Sequence, residues 1–263
     1  MSKNFDRLVE IMERLRGEQG CPWDKKQTRE SLKPYLIEEA YEVLEAIEEK
    51  DAGKLKEELG DLLYQILFHS QISKEEGEFN IEDVLTTNSE KMVRRHPHVF
   101  GDVKAENAEE VLRQWEAIKK EEKGGDRKSI LEGVPPYLPA LLRAHQLQAR
   151  AARVGFDWEH VDHVFAKVKE EMDEFEEAFK AKSREEMENE LGDLLFALVN
   201  IGRFIEVNPE DALRKSISKF ISRFRHIEEE IDRQGREWGN VSLEEMEMLW
   251  QEAKGLEKIR DEK

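Results

Sequence analysis

EEAYEVLEAIEEKDAGKLKEELGDLLYQILF, residues 38–68, and EEMDEFEEAFKAKSREEMENELGDLLFALVN, residues 170–200, decide the fold. Laid on each other at a shift of 132 residues, they are identical at 12 of 31 positions without a gap. The identities include Glu38/Glu170, Glu39/Glu171, Glu42/Glu174, Glu58/Glu190, Leu59/Leu191, Gly60/Gly192, Asp61/Asp193, Leu62/Leu194 and Leu63/Leu195. An acidic chain supplies stray Glu matches by chance. It would rarely supply Glu-Leu-Gly-Asp-Leu-Leu twice, each at the same distance from an upstream Glu-Glu-x-x-Glu. Two tandem domains of similar architecture follow.

Within each repeat the apolar residues recur at three-and-four spacing, the period of an amphipathic helix. Residues 34–50 read as a helix with Pro34 near its start and Leu36, Ile37, Ala40, Val43, Leu44 and Ile47 on its apolar side. Residues 54–73 read as a second, with Leu55, Leu59, Leu62, Leu63, Ile66 and Leu67 facing inward. Outward from these, the pattern predicts helices over 5–15, 81–95 and 107–123, then 140–153, 160–182, 184–206, 210–234 and 242–260. Gly17 and Gly20 end the first of these, Pro97 stops the second at His96, and Asn107 is the expected cap of the next. No period-two run suggests a strand. The class is all-α, two tandem bundle-like domains. Between them KGGDRKSILEGVPPYLP, residues 123–139, has the glycines and prolines of a linker. The expected domains are 1–122 and 140–263.

Composition narrows the function. Sixty acidic and 42 basic residues among 263 give a net charge of −18, which argues against binding a nucleic-acid polymer or an anionic membrane. A small anion held by a few local Lys and Arg residues and a metal stays open. The single cysteine, Cys21, excludes an internal disulfide and a cysteine-rich zinc site. It lies in a turn between Gly20 and Pro22 and reads as a buried or half-buried thiol. No apolar run reaches membrane-spanning length, and MSKNFDRLVEIMERLRGEQG lacks the apolar centre of a signal peptide. The cytoplasm is the expected compartment.

The chemistry lies in the acids. Each repeat carries two pairs at i and i+3: Glu39/Glu42 with Glu58/Asp61, and Glu171/Glu174 with Glu190/Asp193. That spacing puts both acids of a pair on one helix face, and two antiparallel helices let the pairs converge. Four carboxylates together repel unless a cation sits among them. All-oxygen ligands suit Mg²⁺, with Mn²⁺ as a substitute, rather than zinc. The plainer alternative is a solvated helix face, the ordinary meaning of an isolated acidic pair. Against it, Asp61 and Asp193 directly precede Leu62-Leu63-Tyr64 and Leu194-Leu195-Phe196, and acids close to a core need a partner or a metal. A di-iron bundle needs Glu-x-x-His. None of the seven histidines has Glu three residues before it.

These residues resemble the MazG family, nucleoside triphosphate pyrophosphohydrolases with two tandem MazG domains. The resemblance covers essentially the whole chain. It runs from Gly20-Cys21-Pro22-Trp23-Asp24 through both acidic motifs and Arg94-Arg95-His96-Pro97-His98-Val99-Phe100 to Leu138-Pro139-Ala140-Leu141 and Gly155-Phe156-Asp157-Trp158. The acidic pattern belongs to a wider all-α superfamily that includes dUTPases; the other segments are specific to MazG. The resemblance implies Mg²⁺-dependent hydrolysis of a broad range of NTPs and dNTPs to monophosphate and pyrophosphate, and a homodimer. Alternatives are a narrow dUTP or dCTP pyrophosphatase and a non-catalytic helical scaffold.

By the resemblance, Glu171, Glu174, Glu190 and Asp193 are metal ligands, and Glu39, Glu42, Glu58 and Asp61 their first-repeat counterparts. Lys167, Asn200, Lys219, Arg223 and Trp250 match nucleotide contacts; Trp250 taken alone reads sooner as a core or interface aromatic. In the first repeat Arg94, Arg95, Trp115 and Lys119 are the candidates. Glu170 and Glu38 stand one residue off the ligand face, as general base or as supporting shell. His96 and His98, around Pro97, fit a structural or substrate-contact role better than a metal pair. Ser222 stands beside Arg223 where the family pairs two arginines. The second repeat, with Lys167, Asn200 and Trp250, is expected to turn over faster. No Walker-type glycine loop is present.

Overall fold

Two helical hairpins organise the chain. In the computed structural model, which describes residues 3–122 and 129–261, α1 (Lys3–Arg16) and a short α2 (Pro22–Lys26) lead into the first hairpin, α3 (Arg29–Glu49) and α4 (Ala52–Glu75). Then come α5 (Ile81–Arg95), α6 (Pro97–Phe100) and α7 (Ala108–Glu122). Next, α8 (Ala140–Ala152) precedes the second hairpin, α9 (Val161–Ala181) and α10 (Arg184–Phe204); α11 (Pro209–Arg233) and α12 (Leu243–Asp261) close the order. The described residues contain no strand. The class is all-α, as the periodicity predicted.

The largest difference from the sequence reading is where α3 begins. Thr28 caps it through a reciprocal box: Thr28 Oγ1 accepts from Ser31 N at 3.2 Å, and Ser31 Oγ accepts from Thr28 N at 2.9 Å. Pro34 therefore lies inside the helix, where it forfeits one backbone hydrogen bond. Asn107 caps α7 as expected, accepting from Glu110 N at 2.9 Å. The short helices α2 and α6, each begun by a proline at N1, are additions. Lys123, at the end of one expected helix, and residues 123–128 of the expected linker lie outside the described residues.

The chain divides into two compact units, Met1–Gly125 and Asp126–Lys263. In the first, Met12, Leu32, Leu67, Phe68 and Ile72 form a buried core, with Phe5, Leu8, Val9, Tyr64 and Ile81 packed on it. In the second, Val164, Val199, Ile227 and Ile231 are buried, and Gln148 Nε2 ties α8 to the Phe196 carbonyl of α10 at 2.8 Å. The later part of the expected linker is held rather than free. Val134 is buried, and Arg150 donates to the Glu132 and Gly133 carbonyls.

Each unit covers only one side of its hairpin. Ile37, Tyr41, Leu44 and Ile47 of α3 are exposed, and so are Leu59 and Ile66 of α4, which the spacing had placed inward. The second hairpin repeats this with Phe165, Met172 and Phe179, seven apart along α9, and Leu191, Leu195 and Leu198 of α10. A helix whose apolar residues spread wider than one packing face has a second stripe left over.

Candidate functional site

The acids meet because each hairpin turn is tight. Lys50 and Lys182, identical in the repeat, both adopt the left-handed conformation, at φ 56° and 57°. Each donates its backbone N–H to carbonyls of the preceding helix's last turn, Ala46 and Ile47 or Ala178 and Phe179. The next residue caps the returning helix: Asp51 Oδ1 accepts from Gly53 N and Lys54 N, and Ser183 Oγ from Glu186 N. A two-residue connection forces the helices antiparallel, which sets the first acidic pair opposite the second.

In the first hairpin, Glu39, Glu58 and Asp61 bring carboxylate oxygens within 4.8 Å of one another. In the second, Glu171, Glu174 and Glu190 do the same. Glu42 adjoins the first group, adding its charge to Glu39 and Glu58; Asp193 lies outside the second threesome. Asp61 and Asp193 are both exposed, so the apolar residues that follow them do not draw them into the core, and nearness to the core is no argument against a solvated acidic face. Consecutive helical residues point about 100° apart, so a buried run can begin beside a solvated acid.

The two groups differ in what balances them. Burial raises the Glu39 carboxyl first, with Asp61 and Glu42 adding to it and a hydrogen bond from Gln65 opposing. Burial and neighbouring acids likewise raise Glu58, and in the second group Glu174. There a lysine intervenes. Lys167 Nζ lies 2.6 Å from Glu171 Oε1 and 2.8 Å from Glu170 Oε1, and the two carboxylates raise its ammonium. The first hairpin has Tyr35 in that position. Gln65, buried four residues after Asp61, escaped the sequence reading. Its helical spacing from Asp61 was the available signal.

The other expected residues fall in separate places. Asn200 Oδ1 accepts from Arg203 Nε at 3.0 Å, and Arg203 is paired with Asp157 of the Gly155–Trp158 segment. Arg203 was not foreseen; it makes Asn200 part of the anchor for that segment. Arg223 lies over Trp250, which also touches Phe220, while Lys219, one turn earlier on α11, is exposed. In the first unit Arg95 lies over Trp115, His96 meets Trp115 edge-on at 4.9 Å, and Arg94 and Arg95 both pair with Glu122. His96 Nδ1 hydrogen-bonds the Met92 carbonyl at 2.6 Å, the structural placement that its proline-flanked position suggested. Lys119, on α7, is half-buried, and Glu38 is exposed.

Comparison with known proteins finds the MazG nucleotide pyrophosphohydrolase domain twice, over residues 27–100 and 160–228. The chain belongs to the MazG family. The nucleoside triphosphate pyrophosphohydrolase/pyrophosphatase MazG of Thermotoga maritima is 49% identical over 95% of this chain and 96% of its own. The nucleoside triphosphate pyrophosphohydrolase of Escherichia coli is 48% identical over 96% of this chain and 98% of its own. A longer Bacillus subtilis protein, the uncharacterized YabN, is 52% identical over 97% of this chain, which spans 52% of it. The two MazG matches coincide with the two hairpins that carry the acids, and membership makes this chain an enzyme of the nucleotide pyrophosphohydrolase class.

The donor set of each MazG hairpin fits a hard divalent cation. Three carboxylates bring oxygens within 4.8 Å of one another, and burial first, then the neighbouring acids, raise the Glu39, Glu58 and Glu174 carboxyls. A carboxyl raised on folding binds protons more tightly in the folded chain. Its contribution to stability is full below the ordinary carboxylate range and is lost as pH rises through the raised value. A cation can replace the proton only once the proton has left. Mg²⁺ is therefore expected to raise the melting temperature more at about pH 7 than at about pH 4. Calorimetry checks this; an equal shift at both pH values would rule out binding at these acids.

Proposed function

We propose that this chain hydrolyses NTPs and dNTPs broadly to nucleoside monophosphate and pyrophosphate with Mg²⁺, as a cytoplasmic homodimer. The observation that carries the reading is the duplicated carboxylate threesome, Glu171, Glu174 and Glu190 with its counterpart Glu39, Glu58 and Asp61. Glu171, Glu174, Glu190 and Asp193 would hold the cation in the second unit, and Glu39, Glu42, Glu58 and Asp61 in the first. Bound there, a divalent cation supplies charge neutralisation to phosphate oxygens and acidifies water.

The chain's own residues do the rest. Glu170, beside Glu171 on α9, would orient an attacking water or take its proton, as would Glu38 in the first unit. Lys167 bridges Glu170 and Glu171, so an arriving phosphate would compete with those carboxylates for its ammonium. Lys219 and Arg223, four apart on α11, supply cationic contacts for the polyphosphate, with Asn200 and Trp250 as nucleoside contacts. Arg94, Arg95, Trp115 and Lys119 are the first-unit equivalents. In the second group Lys167 pairs directly with the acid Glu171, whereas Lys54, which acts on Glu58 in the first group, is paired with Glu45 and Glu49; this supports the second unit as the faster one. The exposed apolar stripes of both hairpins support pairing of two copies, since faces of that kind are rarely left to water.

Product analysis tests the reaction. The purified chain is incubated with each common NTP and dNTP, with and without Mg²⁺, and the products are separated. Equal monophosphate and pyrophosphate from many nucleotides, only with metal, is the expected result. Turnover of dUTP or dCTP alone would replace it with a narrow enzyme. Diphosphate with phosphate would show that a different bond breaks, and no product at all would favour a scaffold.

A further inference from the structure

Away from the acidic hairpins, one arrangement is built twice. In the second unit the Arg223 guanidinium carbon lies 5.4 Å from the centre of the Trp250 ring. Its Nε and Nη2 both donate to Glu257 Oε2, at 2.9 and 2.7 Å. In the first unit Arg95 lies 5.3 Å from the Trp115 ring centre, and its Nε and Nη2 both donate to Glu122 Oε2, the former at 2.9 Å. Each glutamate follows its tryptophan by seven residues, two helical turns along one face. The same edge of the arginine, the same single carboxylate oxygen and the same indole face recur in both units.

Burial gives each pair some structural value: Arg223 and Glu257 keep 20% and 28% of their side-chain exposure, and Arg95 and Glu122 12% and 17%. Charge pairing alone does not account for the same single-oxygen contact in both units. Geometry explains it better. A guanidinium presents two forks, Nε with Nη2 and Nη1 with Nη2. A carboxylate on the first leaves the second open to another planar or tetrahedral oxyanion. The indole covers one face of the same group. Together they hold the arginine in one orientation, and its Nη1 makes no hydrogen bond among the described residues.

We propose that Glu257 is a positioning residue, holding Arg223 with its outer fork toward the triphosphate, and that Glu122 does the same for Arg95. This rests on the nucleotide-hydrolysis reading above. The two units differ in one respect. Glu122 Oε1 also accepts from Arg94 Nε at 2.6 Å, where the second unit has Ser222. The two arginines hold the Glu122 carboxyl below its ordinary range. Glu122 thus spreads one charge over two cations, and Glu257 gives its charge to Arg223.

The test uses the full chain, ATP with Mg²⁺, and Mg²⁺-tripolyphosphate as a non-nucleotide probe. Glu257→Ala is expected to raise KM for ATP about 10-fold with kcat within about 2-fold, the pattern of a lost binding contact. Glu257→Gln keeps an oxygen in reach of both donors and is expected to stay within about 3-fold of the parent KM. In an Arg223→Ala background, Glu257→Ala should add nothing, because its target is gone. Tripolyphosphate affinity by titration calorimetry should fall in parallel with KM. An unchanged or lowered KM, no rescue by glutamine, or an equal effect without Arg223 would overturn the proposal while leaving hydrolysis intact. Weaker tripolyphosphate binding by Glu257→Ala in a chain that hydrolyses no nucleotide would keep the positioning role and overturn the reaction. Absence of both hydrolysis and tripolyphosphate binding would overturn both.

Discussion

Glu171→Gln with Glu174→Gln is expected to lower metal-dependent pyrophosphate release by at least about 100-fold, the loss typical when a group supporting transition-state charge is removed. The substitutions keep side-chain shape and hydrogen-bonding capacity while removing two of three converging charges. Glu171 is almost fully buried and paired with Lys167. Its replacement leaves that lysine with Glu170, which is within reach already. Helical content should therefore survive. The matching change in the first hairpin, Glu39→Gln with Glu42→Gln, should leave most of the turnover, because that group lacks the lysine and carries Tyr35 in its place. Rates of pyrophosphate formation, read beside circular dichroism, check both. Full activity with both hairpins altered would remove the carboxylates from the mechanism. A larger loss from the first pair than the second would reverse the assignment of the faster unit.

Met172→Lys with Phe179→Lys is expected to convert a dimer into monomers. These side chains lie two turns apart on α9, Phe179 is 65% exposed, and Leu191, Leu195 and Leu198 extend the same kind of surface onto α10. Covering an apolar side chain of this size contributes about 1.5–3 kcal/mol. In a two-fold dimer each substitution counts twice. Four removed contacts then amount to roughly 6–12 kcal/mol, enough to dissociate a micromolar or nanomolar pair. Light scattering coupled to size exclusion reads the mass directly. A parent chain that elutes as a monomer at tens of micromolar, by the order of magnitude of ordinary dimer affinities, would refute the pairing. Substitution with no change in mass would move the interface elsewhere.

The repeat shows how far a sequence can carry such a reading. Identity at Glu39/Glu171 and Glu58/Glu190 implied paired helices with facing acids, and the identical Lys50 and Lys182, unused in that reading, are the left-handed turn residues that make the hairpins tight. Helical periods and caps are local properties, so Asn107 and His96-Pro97 could be placed from their neighbours alone. Thr28 was missed because a capping box closed by serine looks like ordinary loop chemistry until the helix behind it is known.

What depended on packing was not legible. The sequence by itself determined an all-α chain of two related halves, its MazG membership and the acids that face one another, because period and spacing are written residue by residue. Only the tertiary structure decided that Asp61 and Asp193 stay in solvent, that the Lys167 ammonium reaches both Glu170 and Glu171, and that Leu59, Ile66 and Phe179 face outward. It alone joined Arg223 to Glu257 and Arg95 to Glu122 across separate helices. Those outcomes depend on which face of each helix finds a partner, and a wide apolar helix offers more faces than one unit can cover.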